Sequence, residues 1–382
     1  MRYKLTIPAR INILGNPGDA NEGDFATISS AINLHAGAFI EPSDHIILES
    51  ISAEHRDGRY QRKNSNKRLE FTTQEIPLNY DNELDLLKAA LNRFYKFSQQ
   101  LRESLTTQGV HIAVWSDIPR QSGLGGSSVL ILLVLAGLRE WYQLDPNIHN
   151  DYVLAELTQR IEGNELGITC GFADRYVPLF GGLAYLDYRG KLLHKEICQE
   201  PFATYERLDH YIDDIPLLAV STGIKHDSGD VHGQMRPRYL REFNEWQRKG
   251  GNKPPMVVFM SEAWNTAWRG KIALLEEDWT TFGKLMNKNH QIVNRMMTYC
   301  GFSEGAGWAN NLFIDSALEN CAFGAKLTGA GGGGSVFALV RPGKESMIED
   351  GWIKIIERYD LSKASIFRPQ ISKQGLIIQL DE

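Results

Sequence analysis

Residues 117–138, DIPRQSGLGGSSVLILLVLAGL, place three glycines and two serines between a strand-like run and an apolar run. Gly123, Gly125 and Gly126 would let backbone amides approach an anion with no Cβ in the way. A helix opening at Ser127 and Ser128 would aim its positive end at the same point, with Leu124 completing the loop. A serine hydroxyl there can cap the helix or ligate Mg²⁺. No Gly-Lys-Ser/Thr occurs in the chain, so this is not a Walker A loop. A second cluster, KLTGAGGGGSVFALV (326–340), satisfies Gly-x-Gly-x-x-Gly at Gly329, Gly331 and Gly334. It precedes a strand-like run, whereas a dinucleotide fingerprint follows a strand and opens a helix, so a nicotinamide oxidoreductase is excluded. So many glycines imply close packing of this backbone against another loop or a ligand. A third stretch, PARINILGNPGD (8–19), puts Arg10 on a strand and Asp19 in the turn after it.

The elements that position these residues follow from periodicity. Leu5–Leu14, Ala26–Phe39, His45–Ile51 and Val110–Trp115 read as strands, and the polar, basic stretch 53–70 as a solvated hairpin or loop. Asn82–Arg102 carries apolar residues at helical spacing, and VLILLVLAGLREWY is apolar nearly all round, as a buried helix would be. Asp151–Glu162 reads as a helix and Gly182–Asp187 as a strand. Residues 190–213 lose periodicity, which predicts two domains, 1–205 and 206–382. The second holds strands at Pro216–Thr222 and Ser335–Val340. Helices are expected there at Arg238–Arg248, Pro255–Leu275, Trp279–Cys300 and Asn310–Cys321.

The 382 residues carry 41 basic and 47 acidic side chains, a net charge of −6, which disfavours a nucleic-acid partner. The longest apolar run, Val129–Ala136, is too short to span a bilayer. Four scattered cysteines without CxxC spacing and an N-terminus without a signal-like segment predict a cytoplasmic protein lacking disulfides and structural zinc.

Taken in order, the three motifs resemble the GHMP kinase superfamily. Pro8-x-Arg10-x-Asn12-x-x-Gly15 with Asp19 is similar to the galactokinase-type first motif, which carries Glu where this chain has Asn16. Pro119-x-x-x-Gly123-Leu124-Gly125-x-Ser127-Ser128 resembles the family's phosphate loop, with Gly126 in a usual Ser position. Lys326-x-Thr328-Gly329-Ala330-Gly331-Gly332-Gly333 resembles the third motif. The resemblance implies an α+β, two-domain fold, with an N-terminal ribosomal-protein-S5-domain-2-like domain and a C-terminal ferredoxin-like domain. It implies ATP and Mg²⁺. RIEGNELGITCGFADRYVPLFGGLAYLD (160–187) resembles the sugar-kinase segment that supplies a metal-binding Glu and a catalytic Asp. That carries metal binding to Ser127 and Glu162, the base to Asp174, and stabilisation of developing charge to Arg10. The bland alternatives are an N-cap serine, a surface carboxylate, a helix cap and a structural arginine.

The acceptor is narrowed by two features. GNPGD and RQSGLGGSS resemble the versions of these loops in glucuronokinases, as does the stretch from Ser228 to Tyr239. Lys225, His226, His232, Arg236, Arg238 and Arg241 cluster in an otherwise acidic chain, and arginine suits a carboxylate or phosphate. Asp19, Arg236 and Arg238 are therefore expected at the substrate. The expectation is a sugar 1-kinase acting on an anionic sugar, a uronic acid first (glucuronate to glucuronate 1-phosphate), as a monomer or homodimer. A heptose 7-phosphate 1-kinase is the alternative within the family, and a non-catalytic sugar sensor the alternative outside enzymes.

Overall fold

The computed structural model describes every residue except 1, 21–24, 57–58, 169, 192–196, 200–201, 225–227 and 382. The first half runs through β1 (Arg2–Leu14), β2 (Ala26–Ser43), β3 (Ile46–Arg56), β4 (Arg59–Phe71), α1 (Asp85–Phe97), α2 (Gln99–Leu105) and β5 (Gly109–Ser116). It continues through α3 (Gly126–Trp141), α4 (Asp151–Arg160), α5 (Ala173–Phe180), β6 (Leu183–Asp187) and β7 (Thr204–Arg207). The second half holds β8 (Leu217–Ser221), α6 (Ser228–Lys249), α7 (Pro255–Leu275), α8 (Trp279–Tyr299), α9 (Trp308–Glu319), β9 (Gly324–Thr328) and β10 (Ser335–Leu339). It closes with α10 (Glu345–Arg358), β11 (Ser365–Phe367) and β12 (Ile377–Asp381).

Two sheets organise these elements. The larger runs β12-β1-β2-β5-β3-β4, with β6 and β7 continuing from β2, and the smaller runs β11-β8-β10-β9. Helix α3 is apolar nearly all round and buried from Ser128 to Leu138 except at the half-buried Leu130, so it forms the centre of the layer behind the large sheet. The polar stretch 53–70 is indeed a hairpin arm, β3 paired antiparallel with β4. The helix expected over 82–102 is divided at Ser98, whose hydroxyl accepts from Leu101 N and caps α2. Helix α6 starts ten residues earlier than the expected Arg238, because Pro237 is accommodated inside it. Residues 204–207, inside the expected interdomain stretch, pair with β6. The C-terminal strand β12 returns to pair with β1, so the large sheet draws on both ends of the chain.

Helices α7 and α8 pack on that sheet although they belong to the second half of the chain. A Cβ at Gly270 would lie 2.2 Å from Leu14 Cδ1, so α7 comes this close to β1 only because residue 270 is glycine. No helix among the described residues is long and apolar enough to cross a membrane.

Candidate active site

The loop after β5 and the glycine run after β9 lie against each other. Gly125 takes φ +83° as the N-cap of α3, and Gly123 takes φ +72°. A Cβ on Gly329 would sit 3.1 Å from Gly123 Cα, and one on Gly334 3.0 Å from Ser122 O. Ser335 Oγ donates to Ser122 O at 2.9 Å, locking the two loops together. The close packing expected of Gly329, Ala330, Gly331, Gly332 and Gly333 thus has a definite neighbour at Gly329, the loop before α3.

Beneath that loop runs β1. Arg10 N donates to Leu124 O at 3.2 Å, and its guanidinium Nη1 to Gly123 O at 2.5 Å. Arg10 Nε donates to Asp174 Oδ1 at 2.7 Å, and Nη2 contacts the same oxygen. Arg10 is buried, yet 20% of the Asp174 side chain stays exposed, so a small molecule can reach the carboxylate but not the arginine's stem. Burial would push the Asp174 carboxyl up. Arg10, Arg175 and His232 outweigh it and hold the group below the usual carboxylate range.

Asp19 sits in a short turn, Gly18–Ala20, after β1. Its Oδ2 accepts from Ala173 N at 3.0 Å, tying it to the start of α5, the helix that carries Asp174. A Cβ at Gly171 would meet that carboxylate at 2.2 Å, so only glycine permits the approach. Burial, with Asp174 nearby, pushes the Asp19 carboxyl up to about 6.

Glu162, which like Asp174 acts on Arg175, is buried on a π-helical turn (Ile161–Glu165) that continues α4. Ser127 Oγ donates to its Oε1 at 2.6 Å, and Ser128 Oγ to its Oε2 at 2.9 Å. Arg175 Nη2 also donates to Oε2. A carboxylate and two hydroxyls at the opening of α3 are the hard oxygen donors a divalent cation takes together with phosphate oxygens.

Arg238 departs from expectation. Its guanidinium stacks 3.7 Å from the Tyr299 ring centroid, donates from Nη1 to Tyr299 O at 2.5 Å, and pairs with Glu242. It fastens α6 to the end of α8 and is not brought to the cleft. The reason is helical geometry: residues two apart point about 200° from one another, so Arg236 and Arg238 cannot both face one anion. Arg236 shares the face of His232, one turn earlier and close enough to act on Asp174. Lys225 and His226 lie outside the described residues. A separate polar groove of about 620 Å³ between α7 and α8, lined by Glu262, Lys284, Lys288 and Arg295 among others, contains none of these residues.

Two fully buried residues, Lys326, which opens the third motif, and Asn289, hold the turn after β1 in place. Lys326 is fully buried, and its Nζ donates to Asn16 Oδ1 and Leu327 O, both at 2.7 Å, and to Asn12 O at 3.2 Å. Burial drives its pKa well below the ordinary lysine value. Asn289 on α8 accepts from Gly15 N and donates to Asn16 O, both at 3.0 Å. Asn16, where the galactokinase-type motif carries Glu, therefore spends its side chain on Lys326 and on Gly329 O. The signal available in the sequence was a lone lysine in the apolar strand preceding the glycine run.

Family models for the GHMP kinase N-terminal and C-terminal domains match residues 85–182 and 271–354. The chain belongs to the GHMP kinase family. This GHMP kinase is 28% identical to probable glucuronokinase 2 of Arabidopsis thaliana over 344 residues, covering 90% of the chain and 86% of that protein. It is 24% identical to the D-glycero-alpha-D-manno-heptose 7-phosphate kinase of Campylobacter jejuni, covering 88% of the chain and 89% of that protein. The galactokinase of Lactococcus lactis, solved with galactose, superposes with a TM-score of 0.73 at 18% identity, covering 98% and 95% of the two chains. The two-domain fold of this GHMP kinase is the one expected from its motifs.

Proposed function

We propose that this GHMP kinase transfers the γ-phosphoryl group of ATP to the anomeric hydroxyl of an anionic sugar, glucuronate before others. The observation that carries the reading is the Arg10–Asp174 pair beneath the glycine loop. It sets a buried cation beside a reachable carboxylate where a phosphoryl group and an acceptor hydroxyl would meet. In this reading the loop amides from Gly123 to Ser128 hold the triphosphate, and Arg10 stabilises the charge spread over the transferring group. Asp174 orients the sugar hydroxyl and takes its proton as the new P–O bond forms. Asp19 hydrogen-bonds the sugar, and Arg236 meets its anionic group. The donor set of Ser127 and Glu162 fits Mg²⁺, which when bound would neutralise charge on the β- and γ-phosphates. Residues 1–205 would form the phosphate-loop domain and 206–382 the third-motif domain.

Support for a uronate acceptor comes from the likeness to glucuronokinases over 90% of the chain. The slightly lower likeness to a heptose 7-phosphate kinase keeps that acceptor as the competitor. An ADP-release assay over glucuronate, galacturonate, glucose and heptose 7-phosphate tests the assignment. Glucuronate should exceed glucose by about tenfold or more in kcat/KM, the worth of one charged hydrogen bond. Preference for heptose 7-phosphate would replace the uronate, and binding of sugar and ATP without turnover would make the protein a sensor.

A further inference from the structure

Arg175 follows the proposed base directly and has no part in the chemistry described so far. It lies in the first turn of α5, fully buried, with Nη2 on Glu162 Oε2. That oxygen also receives Ser128, whereas Oε1 receives Ser127. Its Nε and Nη1 are buried and find no hydrogen-bond partner among the described residues. Burial opposes the guanidinium's charge, but the carboxylates Glu162 and Asp174 beside it outweigh burial and keep it charged, while burial holds the neighbouring Cys170 thiol protonated. A permanent buried cation thus touches the carboxylate proposed to ligate Mg²⁺.

A buried arginine left with unsatisfied donors is costly, and Arg175 places its Nη2 on Glu162, with the Cys170 thiol as a further, weaker neighbour. Clamping Oε2 fixes the carboxylate's orientation and leaves Oε1, beside Ser127, as the oxygen for a metal ion. The same cation repels a second one a few ångströms away, strongly so in a site removed from water. The repulsion weakens once a triphosphate adds its negative charge to the cleft. We infer that Arg175 is a built-in counter-charge that clamps Glu162 and suppresses binding of a free divalent cation until nucleotide is present. The inference rests on the proposed metal site at Ser127 and Glu162. It makes Arg175 a positioning residue that couples metal entry to ATP.

The test is Mn²⁺ titration followed by the loss of the free-ion EPR signal, on the full chain without nucleotide. Arg175→Gln should bind Mn²⁺ about tenfold tighter than the wild type, and Arg175→Lys, which keeps the charge, within a fewfold of it. With a saturating non-hydrolysable ATP analogue the advantage of Arg175→Gln should shrink to less than half its size on a logarithmic scale. Adding Glu162→Gln to Arg175→Gln should abolish the gain. A gain that survives Glu162→Gln places the metal elsewhere and overturns the metal-site reading itself. Equal or weaker Mn²⁺ binding by Arg175→Gln, with Glu162 still required, overturns only the counter-charge. If Arg175→Gln does not fold, Arg175→Met, similar in length and uncharged, decides between the same outcomes.

Discussion

Asp174 and Asp19 share one cleft, yet their surroundings push their pKa values in opposite directions. Asp174 is held low by Arg10 and Arg175 against its burial, so it is ionised throughout the working range. Such a carboxylate takes a proton only as the sugar oxygen becomes acidic during bond formation. Asp174→Asn keeps the shape and removes the acceptor, and kcat should fall about 10²-fold or more with ATP affinity little changed. Turnover within a fewfold of wild type would refute the assignment. Asp19 has the opposite problem. Its folded-state value of about 6 exceeds the ordinary 3.8, so the native state binds the proton more tightly than the unfolded chain does. Between these values stability falls as pH rises, and above pH 6 the ionised group costs roughly 2–3 kcal/mol. Asp19→Asn retains an acceptor for Ala173 N and removes that cost. Its melting temperature should exceed the wild type's at pH 7.5, and the advantage should disappear near pH 4. The same variant should lose affinity for the sugar, the usual exchange of stability for function. An equal gain at both pH values would show that the carboxylate's charge is not what strains the site.

The elements that carry these residues were legible to different degrees, for physical reasons. Helix α7 was readable end to end, since Pro254 and Pro255 mark its start and apolar spacing runs to Leu275. The glycine loops announce a close approach, and Gly123 and Gly329 in addition take positive φ, which glycine adopts without strain. Helix α6 exceeds its expected span, because a proline at 237 normally ends a helix, and without the true start the opposed directions of Arg236 and Arg238 do not show in the sequence. The burial of Lys326 and Asn289 is illegible for another reason: their partners at 12–16 lie about 300 residues away in sequence. The corrected geometry separates the two arginines experimentally. Arg238→Ala loses the stack on Tyr299 and the bond to its carbonyl, which costs about 1–2 kcal/mol of stability and should leave kcat/KM nearly unchanged. Arg236→Ala should lose about tenfold or more in kcat/KM with an anionic sugar, mainly through KM, and little with its neutral counterpart. A loss in kcat/KM from Arg238→Ala equal to that from Arg236→Ala would return both to the substrate.

At the scale of the whole molecule, a division into halves at residue 205 does not match the division of the core. One apolar cluster joins Leu14, Ile28 and Leu183 to Ala267, Phe282 and Phe337, residues from both halves. Strand β12 closes the edge of the large sheet from the far end of the chain, and Lys326 and Asn289 bind the turn that follows β1. The first half alone would leave the α7 and α8 side of its sheet exposed to water, at about 25 cal/mol for each Å² of apolar surface. The chain should therefore unfold as one cooperative unit, with near-ultraviolet circular dichroism and calorimetry reporting the same midpoint. Gly270 gives the sharpest test, because it sits where α7 meets β1 and a Cβ there would fall 2.2 Å from Leu14 Cδ1 and 3.2 Å from Ile28 Cδ1. Gly270→Val adds three carbons at a contact with no room for one, and overpacking of this kind typically costs about 1–3 kcal/mol. If the halves are one unit, the whole transition moves down by several degrees and stays single. If they are independent, the variant would split the endotherm, with one part unmoved. The same displacement would tilt β1, which holds Arg10 against Gly123 and Asp174, so kcat should fall alongside stability. A variant that lost stability in a single shifted transition yet kept full kcat would show that α7 supports the sheet without setting the register of Arg10.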